Sequence, residues 1–422
     1  MNQTTISAPA GSSERLPLGG LLALAMAAFI TLLTEIMPAG VLSSIAGDLK
    51  VSESLAGQFI TAYAVGALVA AIPLTALTQG MRRRPLLLSA ICGFAIVNLV
   101  TALSHDYHVS LATRFFAGVF GGIVWSLLAG YAVRMSPAHL GGRAIAISGA
   151  GATLALVLGV PLGTLLGRAI GWQGAFGLMT LMAVMLVVWI IAIVPDFPGQ
   201  AKAHRPSLSG VFLQCGIRAV LFVVFTFIVA HNILYIYLEP FLTPSGLSER
   251  VDIVLFIFGL GAIAGLGVAG MLVDRRVQSL TVMSIVIFAL AAVLLASGGR
   301  IAPMVYLSVA LWGVAFGGFA TLTQTALSRL SGRAADVAQS MYTTGWNTAV
   351  AAGGAIGGTA VFQPVVYMDC ATSAARPTWR SPCIRRAGIP PWPPVARSAA
   401  CCSTRAERPL LPGPSSGSSS CL

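Results

Sequence analysis

Gly118-Val119-Phe120-Gly121-Gly122 is echoed further along the chain by Gly313-Val314-Ala315-Phe316-Gly317-Gly318. Two other pairs keep nearly the same spacing: Gly66-Ala67 with Gly261-Ala262, and Ala146-Ile147-Ser148 with Ala338-Gln339-Ser340. The offset stays at about 192–196 residues throughout. Glycine matches alone carry little weight, because membrane helices use Gly for packing. A constant offset at three places points to an internal duplication.

The duplicated strings sit in or beside long apolar runs. Eleven such segments can be read, at 18–45, 55–78, 85–104, 109–133, 144–167, 173–194, 217–243, 252–273, 279–298, 302–327 and 337–362. About 20 apolar residues make one helical crossing of a bilayer. The segments are expected to be helices, since a lipid-exposed span must satisfy its own backbone hydrogen bonds. Composition agrees: of 422 residues 56% are hydrophobic and 9% charged, and mean hydropathy is +0.86. A soluble domain carries roughly 25% charged residues. An ordinary soluble enzyme and a disordered chain are both excluded.

The net charge of +12 does not indicate nucleic acid, because the basic residues lie in short loops between apolar runs. Alternate loops hold Arg82, Arg83 and Arg84; Arg134 and Arg143; Lys202 and Arg205; Arg275 and Arg276; Arg329 and Arg333. The other loops hold only Lys50, Arg168, Arg250 and Arg300. Positive loops stay inside, so the N-terminus is expected in the cytoplasm. The arrangement read from this is a cytoplasmic segment 1–17, a six-helix bundle 18–195, a cytoplasmic linker 196–209 and a second bundle 210–364 with five spans. Both halves begin on the same side, so the repeat is parallel. That arrangement places a substrate site at the interface between the halves.

The last part does not fit the repeat. Residues 365–422 hold five of the seven cysteines, seven arginines and nine prolines, and no stretch able to cross a bilayer. The duplication calls for a twelfth span there. The composition reads as an aberrant, disordered tail, either genuine or the product of a frameshift near 362–366. The other two cysteines, Cys92 and Cys215, fit no disulfide or metal pattern. No phosphate-binding loop, catalytic triad or metal cluster is present, so the chain is read as neither an enzyme nor an ATP-driven pump, with no cofactor.

Several polar residues stand inside the apolar runs. Glu35 lies mid-span, where a charge costs roughly 2.5–3.5 kcal/mol on insertion scales. It either binds a coupling proton or a cationic substrate group, or is a structural carboxyl bonded to a neighbouring helix. Arg114 cannot shed its charge and needs an acceptor, a wet path or a snorkelling route to the interface. Glu239 and Tyr235 belong to an interfacial belt or to an outer cavity. Asn347 and Gln324 must find partners.

The strings Gly270-Met271-Leu272-Val273-Asp274-Arg275-Arg276, Arg114-Phe115-Phe116-Ala117-Gly118 and Gly159-Val160-Pro161-Leu162-Gly163 resemble signatures of the major facilitator superfamily. Thr34-Glu35, Pro38, Ser54-Leu55-Ala56-Gly57-Gln58 and Tyr235-Ile236-Tyr237-Leu238-Glu239-Pro240 are similar to its twelve-span drug/proton antiporters, nearest the sugar (arabinose) and purine-ribonucleoside efflux branch. The resemblance covers 18–362. It implies an all-α membrane protein of two pseudo-symmetric six-helix bundles, here with the twelfth helix lost. It implies proton-coupled efflux of a sugar, nucleoside or drug across the cytoplasmic membrane by a monomer, using the proton gradient and no cofactor. The alternatives are proton-coupled uptake and an inactive product of a damaged gene. Glu35 and Arg114 would couple protons. Tyr63, Trp125, Asn232, Tyr235, Glu239, Gln324, Trp346 and Asn347 would line the cavity. Gly270, Asp274, Arg275 and Arg276 would form a conformational latch. Gly159, Pro161 and Gly163 would limit leak, or only bend and pack their helix. Arg82–Arg84, with no Asp beside them, are read as topology alone.

Overall fold

The computed structural model describes residues 15–200, 207–236, 238–247 and 250–374. Within its helices the side chains at 160–162, 164, 168, 236, 239, 240, 252, 333, 354, 355 and 357–374 stand outside the described set. Among the described residues every regular element is helical. The helices are α1 (Leu18–Gly40), α2 (Leu42–Asp48), α3 (Glu53–Thr78), α4 (Arg83–Leu103), α5 (Tyr107–Met135) and α6 (Gly141–Ile193). They continue with α7 (Leu208–Leu213), α8 (Ile217–Ile236), α9 (Leu238–Leu242), α10 (Val251–Gly298), α11 (Ala302–Ser331) and α12 (Ala335–Ala374).

Nine stretches among the described residues are long and apolar enough to cross a membrane. One of them, Ile253–Gly298, is broken at Arg276 (φ −136°, ψ 37°) and makes two crossings. Adding α12 gives the eleven segments of the sequence. Two expected loops are thereby reduced to single-residue bends. Spans five and six form one element, α6, turned at Gly171 with φ 74°, a conformation that favours glycine. Trp172 next to it is fully buried, and its indole N–H donates to Asp48 at 2.9 Å, which fixes the bend against α2.

The chain divides into two units, Met1–Gly354 and Ala355–Leu422. In the second, the backbone of α12 is helical past Pro364 to Ala374. The expected loss of the twelfth span and most of the aberrant tail fall on 375–422, outside the described residues. The first unit holds both bundles. One core joins α1, α4, α5 and α6 through Leu24, Phe94, Tyr131 and Ile190. The other joins α8, α10, α11 and α12 through Val224, Phe258, Trp312 and Tyr342. Large apolar side chains also face outward, among them Leu77 (76% exposed) and Phe222 (69%), as a lipid-facing surface requires.

The duplicated glycines have one physical cause. A Cβ on Gly118 of α5 would overlap the Tyr63 carbonyl of α3. A Cβ on Gly313 of α11 would overlap the Phe258 carbonyl of α10. Tyr63 and Phe258 are themselves related by the same offset. The repeat thus preserves one close helix crossing, made twice, and that crossing sets the inner wall of each bundle.

Candidate functional site

A cavity of about 290 Å³ lies between the bundles. Its walls come from α1, α3, α5 and the first arm of α6 on one side, and from α8, α11 and α12 on the other. Glu35 lines it, with no hydrogen-bond or ion-pair partner among the described residues. A structural carboxyl bonded to a neighbouring helix is therefore not what the structure shows. Trp125, Asn232, Tyr235, Gln324, Trp346 and Asn347 line it too. Tyr63 does not. It is buried behind the wall, where its hydroxyl donates to the Thr31 carbonyl at 3.3 Å and ties α3 to α1. The Glu239 side chain lies outside the described residues. No Lys or Arg is among the described lining residues.

Arg114 is away from the cavity and from any carboxylate among the described residues. It is fully buried, so it does not snorkel. One guanidinium nitrogen donates to Asn98 Oδ1 at 2.6 Å and Thr101 Oγ1 at 3.2 Å on α4. The group lies over the Phe176 ring, 4.4 Å from its centre. Among the described residues its Nε and Nη1 have no partner. The resemblance implies proton coupling by Glu35 and by Arg114; the fold places only Glu35 at the cavity and brings no direct contact between the two among the described residues.

Gly159 and Gly163 of α6 face α1: a Cβ on Gly159 would run into Ile36, and one on Gly163 would come within 3.1 Å of Met37. Helix six thus packs closely along the segment that carries Glu35. The Pro161 side chain is outside the described residues.

At the arginine-rich end, two aspartates bridge the bundles. Asp274 of α10 accepts from the backbone N–H of Gly142 (2.7 Å) and Arg143 (3.2 Å) at the start of α6, where an anion also meets the helix dipole. Arg329 (3.5 Å) and Arg143 (4.0 Å) add partly exposed ion pairs. A Cβ on Gly142 would stand 2.6 Å from the Asp274 carboxylate, and one on Gly270 would stand 3.2 Å from Ala146 of the other bundle. Arg275 and Arg276 are exposed beside it.

The second bridge was not legible beforehand. Asp336, at the start of α12, is fully buried; one of its oxygens accepts from Arg83 at 2.7 Å and from Arg134 at 2.9 Å. Arg83 is 1% exposed. The reading of Arg82–Arg84 as topology alone is corrected here: the acid that pairs with this loop comes from the opposite bundle. A second neighbour, Asp196, takes the Arg84 N–H (3.0 Å) and the Arg82 guanidinium (2.5 Å). Partial burial opposes its charge, yet these donors hold its carboxyl below the usual carboxylate range.

His231 was also missed. It lines the cavity from α8, 6% exposed, with its Nδ1 accepting from the Trp312 indole N–H at 3.0 Å. The signal was present, since a histidine within an apolar span is costly unless it faces a cavity or partner.

The fold and cavity are those of a two-bundle membrane carrier, and residues 24–355 match the family described as Major Facilitator Superfamily. The chain belongs to that family; it is a multi-pass membrane transporter, not an enzyme. A protein of Mannheimia succiniciproducens named "Probable sugar efflux transporter" is 30% identical, covering 79% of this chain and 85% of its own. A Helicobacter pylori protein of the same name is 26% identical, with 80% and 87% covered. The crystal structure of the human organic anion transporter MFSD10 (TETRAN) shares the fold, with a TM-score of 0.63 at 18% identity, over 83% of this chain and 94% of that one.

Proposed function

We propose that this protein exports a small, uncharged, polyhydroxylated molecule such as a sugar from the cytoplasm in exchange for protons, across the inner membrane and with its N-terminus inside. The observation that carries this reading is the cavity itself. Aromatic faces (Trp125, Tyr235, Trp346) and amides (Asn232, Gln324, Asn347) surround Glu35, the one carboxylate among the described lining residues. Aromatic faces cover the apolar side of a sugar ring, and amides bond its hydroxyls. The relatives named as probable sugar efflux transporters support the substrate class.

Glu35 is the group suited to carry the proton. No Lys or Arg among the described lining residues holds it in a fixed ion pair, so it can take up and give off a proton through the cavity. Protonated from outside, it would release substrate; deprotonated towards the cytoplasm, it would accept the next one. Both aspartate bridges are made at the arginine-rich end, so the arrangement corresponds to the state with the cytoplasmic path shut. Opening that path would break both bridges as the bundles rock.

Glu35→Gln is expected to abolish sugar movement driven by a pH gradient in inverted vesicles, while equilibrium exchange of labelled sugar persists. Full gradient-driven transport by this variant would refute the assignment. The direction of accumulation in wild-type vesicles separates export from uptake.

A further inference from the structure

We propose that His231 is a neutral hydrogen-bond donor of fixed tautomer that grips a hydroxyl of the substrate. An indole N–H can only donate, so the imidazole nitrogen it meets at 3.0 Å, Nδ1, must be bare. The proton then sits on Nε2. A doubly protonated ring would set N–H against N–H, so the geometry opposes His231 as a proton carrier.

Packing holds the ring in that setting. It stacks on Phe316 with centres 3.9 Å apart and an 18° angle, and Phe258 and Tyr235 flank it. The side chain is more than nine-tenths buried. Nε2 has no partner among the described residues, and it is absent from the buried unpaired atoms, so it meets the open cavity. The next residue completes the device. The Asn232 amide nitrogen donates to its own helix at Ile228 (3.0 Å), which leaves Oδ1 as an acceptor at the cavity wall. Asn232 thus offers the substrate a separate acceptor on the same wall as the His231 donor. With no Lys or Arg among the described lining residues, nothing here favours an anion.

The inference rests on the sugar reading above, and its test separates the two. Wild-type protein in nanodiscs, with nitrogen-15 histidine, is examined by NMR and titrated with L-arabinose and its singly deoxygenated analogues. The expected spectrum shows His231 protonated on Nε2 only, with that resonance shifting on sugar binding. Trp312→Phe should release the second tautomer. His231→Phe should weaken L-arabinose binding about tenfold, the size of one good hydrogen bond. It should cause no further loss for one particular deoxy analogue, the one lacking the gripped hydroxyl. His231→Gln, which keeps an N–H at the end of the chain, should recover most of the affinity. A proton on Nδ1, an imidazolium, unchanged binding in His231→Phe, or equal losses for every analogue would each overturn the proposal. A wild-type protein that binds none of these sugars overturns the sugar reading itself and the hydroxyl contact with it.

Discussion

Replacing Asp336 by Asn should open the arginine-rich end of the transporter. In the structure two guanidinium groups converge on one oxygen of Asp336: Arg83 at 2.7 Å and Arg134 at 2.9 Å. The other oxygen, Oδ1, has no partner among the described residues. Arg83 and Asp336 are each 1% exposed, whereas Arg134 is 27% exposed and can turn to water. Without the carboxylate, Arg83 keeps only the carbonyls of Gln79 (3.3 Å) and Thr78 (3.5 Å). Removing one partner of a buried pair costs about 3–5 kcal/mol. The bridge joins two bundles, so the chain can escape that cost by parting them rather than by unfolding. The conformational ratio should then move by roughly two to three and a half powers of ten towards the state open at this end. Spin labels at the exposed residues Met81 and Leu330, one on each bundle, would report the change as a longer distance. A control follows from the same physics. Arg83→Met with Asp336→Met replaces the pair by apolar groups and should keep the end shut, because a buried pair is often no better than its hydrophobic substitute. An unchanged distance distribution in Asp336→Asn would refute the argument.

The remaining predictions concern the exposed bridge and the buried arginine. Asp274→Ala removes a helix cap and ion pairs to half-exposed arginines, so its shift should be smaller, about 0.5–2 kcal/mol on the same distance measurement. A shift as large as that of Asp336→Asn would show that exposure does not govern these bridges. Asn98→Ala takes away the shortest contact of the fully buried Arg114, and should lower thermal stability by about 1.5–3 kcal/mol. A melting curve equal to wild type would mean that Thr101 and Phe176 alone hold the guanidinium.

The charge of Asp336 shows where sequence reading stops. Arg82–Arg84 already form a basic loop that topology explains, and the acid that answers them lies more than two hundred residues away on another helix. No local pattern links the two. Asp274, by contrast, sits inside a recognisable string that singles it out, even though its partners, Gly142 and Arg143, could not be read from it. Glu35 and His231 make the same contrast within the cavity. A carboxylate in an apolar run is conspicuous, whereas a histidine next to an asparagine gains meaning only when Trp312 points its N–H at it.

What the sequence determined by itself is the helical membrane class, the eleven apolar segments, the parallel duplication and the end at which the basic loops gather. Those follow from local physics: apolar runs must be helical in lipid, and glycine recurs wherever two helices touch closely. Only the tertiary structure decided which polar groups meet. Arg114 found its acceptors on α4 and a phenylalanine ring rather than a route to the interface, and Tyr63 was drawn behind the wall it was expected to line. The reason is rotational: a helix in lipid carries apolar residues all round, so its sequence marks no inward face. Which side points to the cavity is set by the close crossings at Gly118 and Gly313, and so by the partner helix.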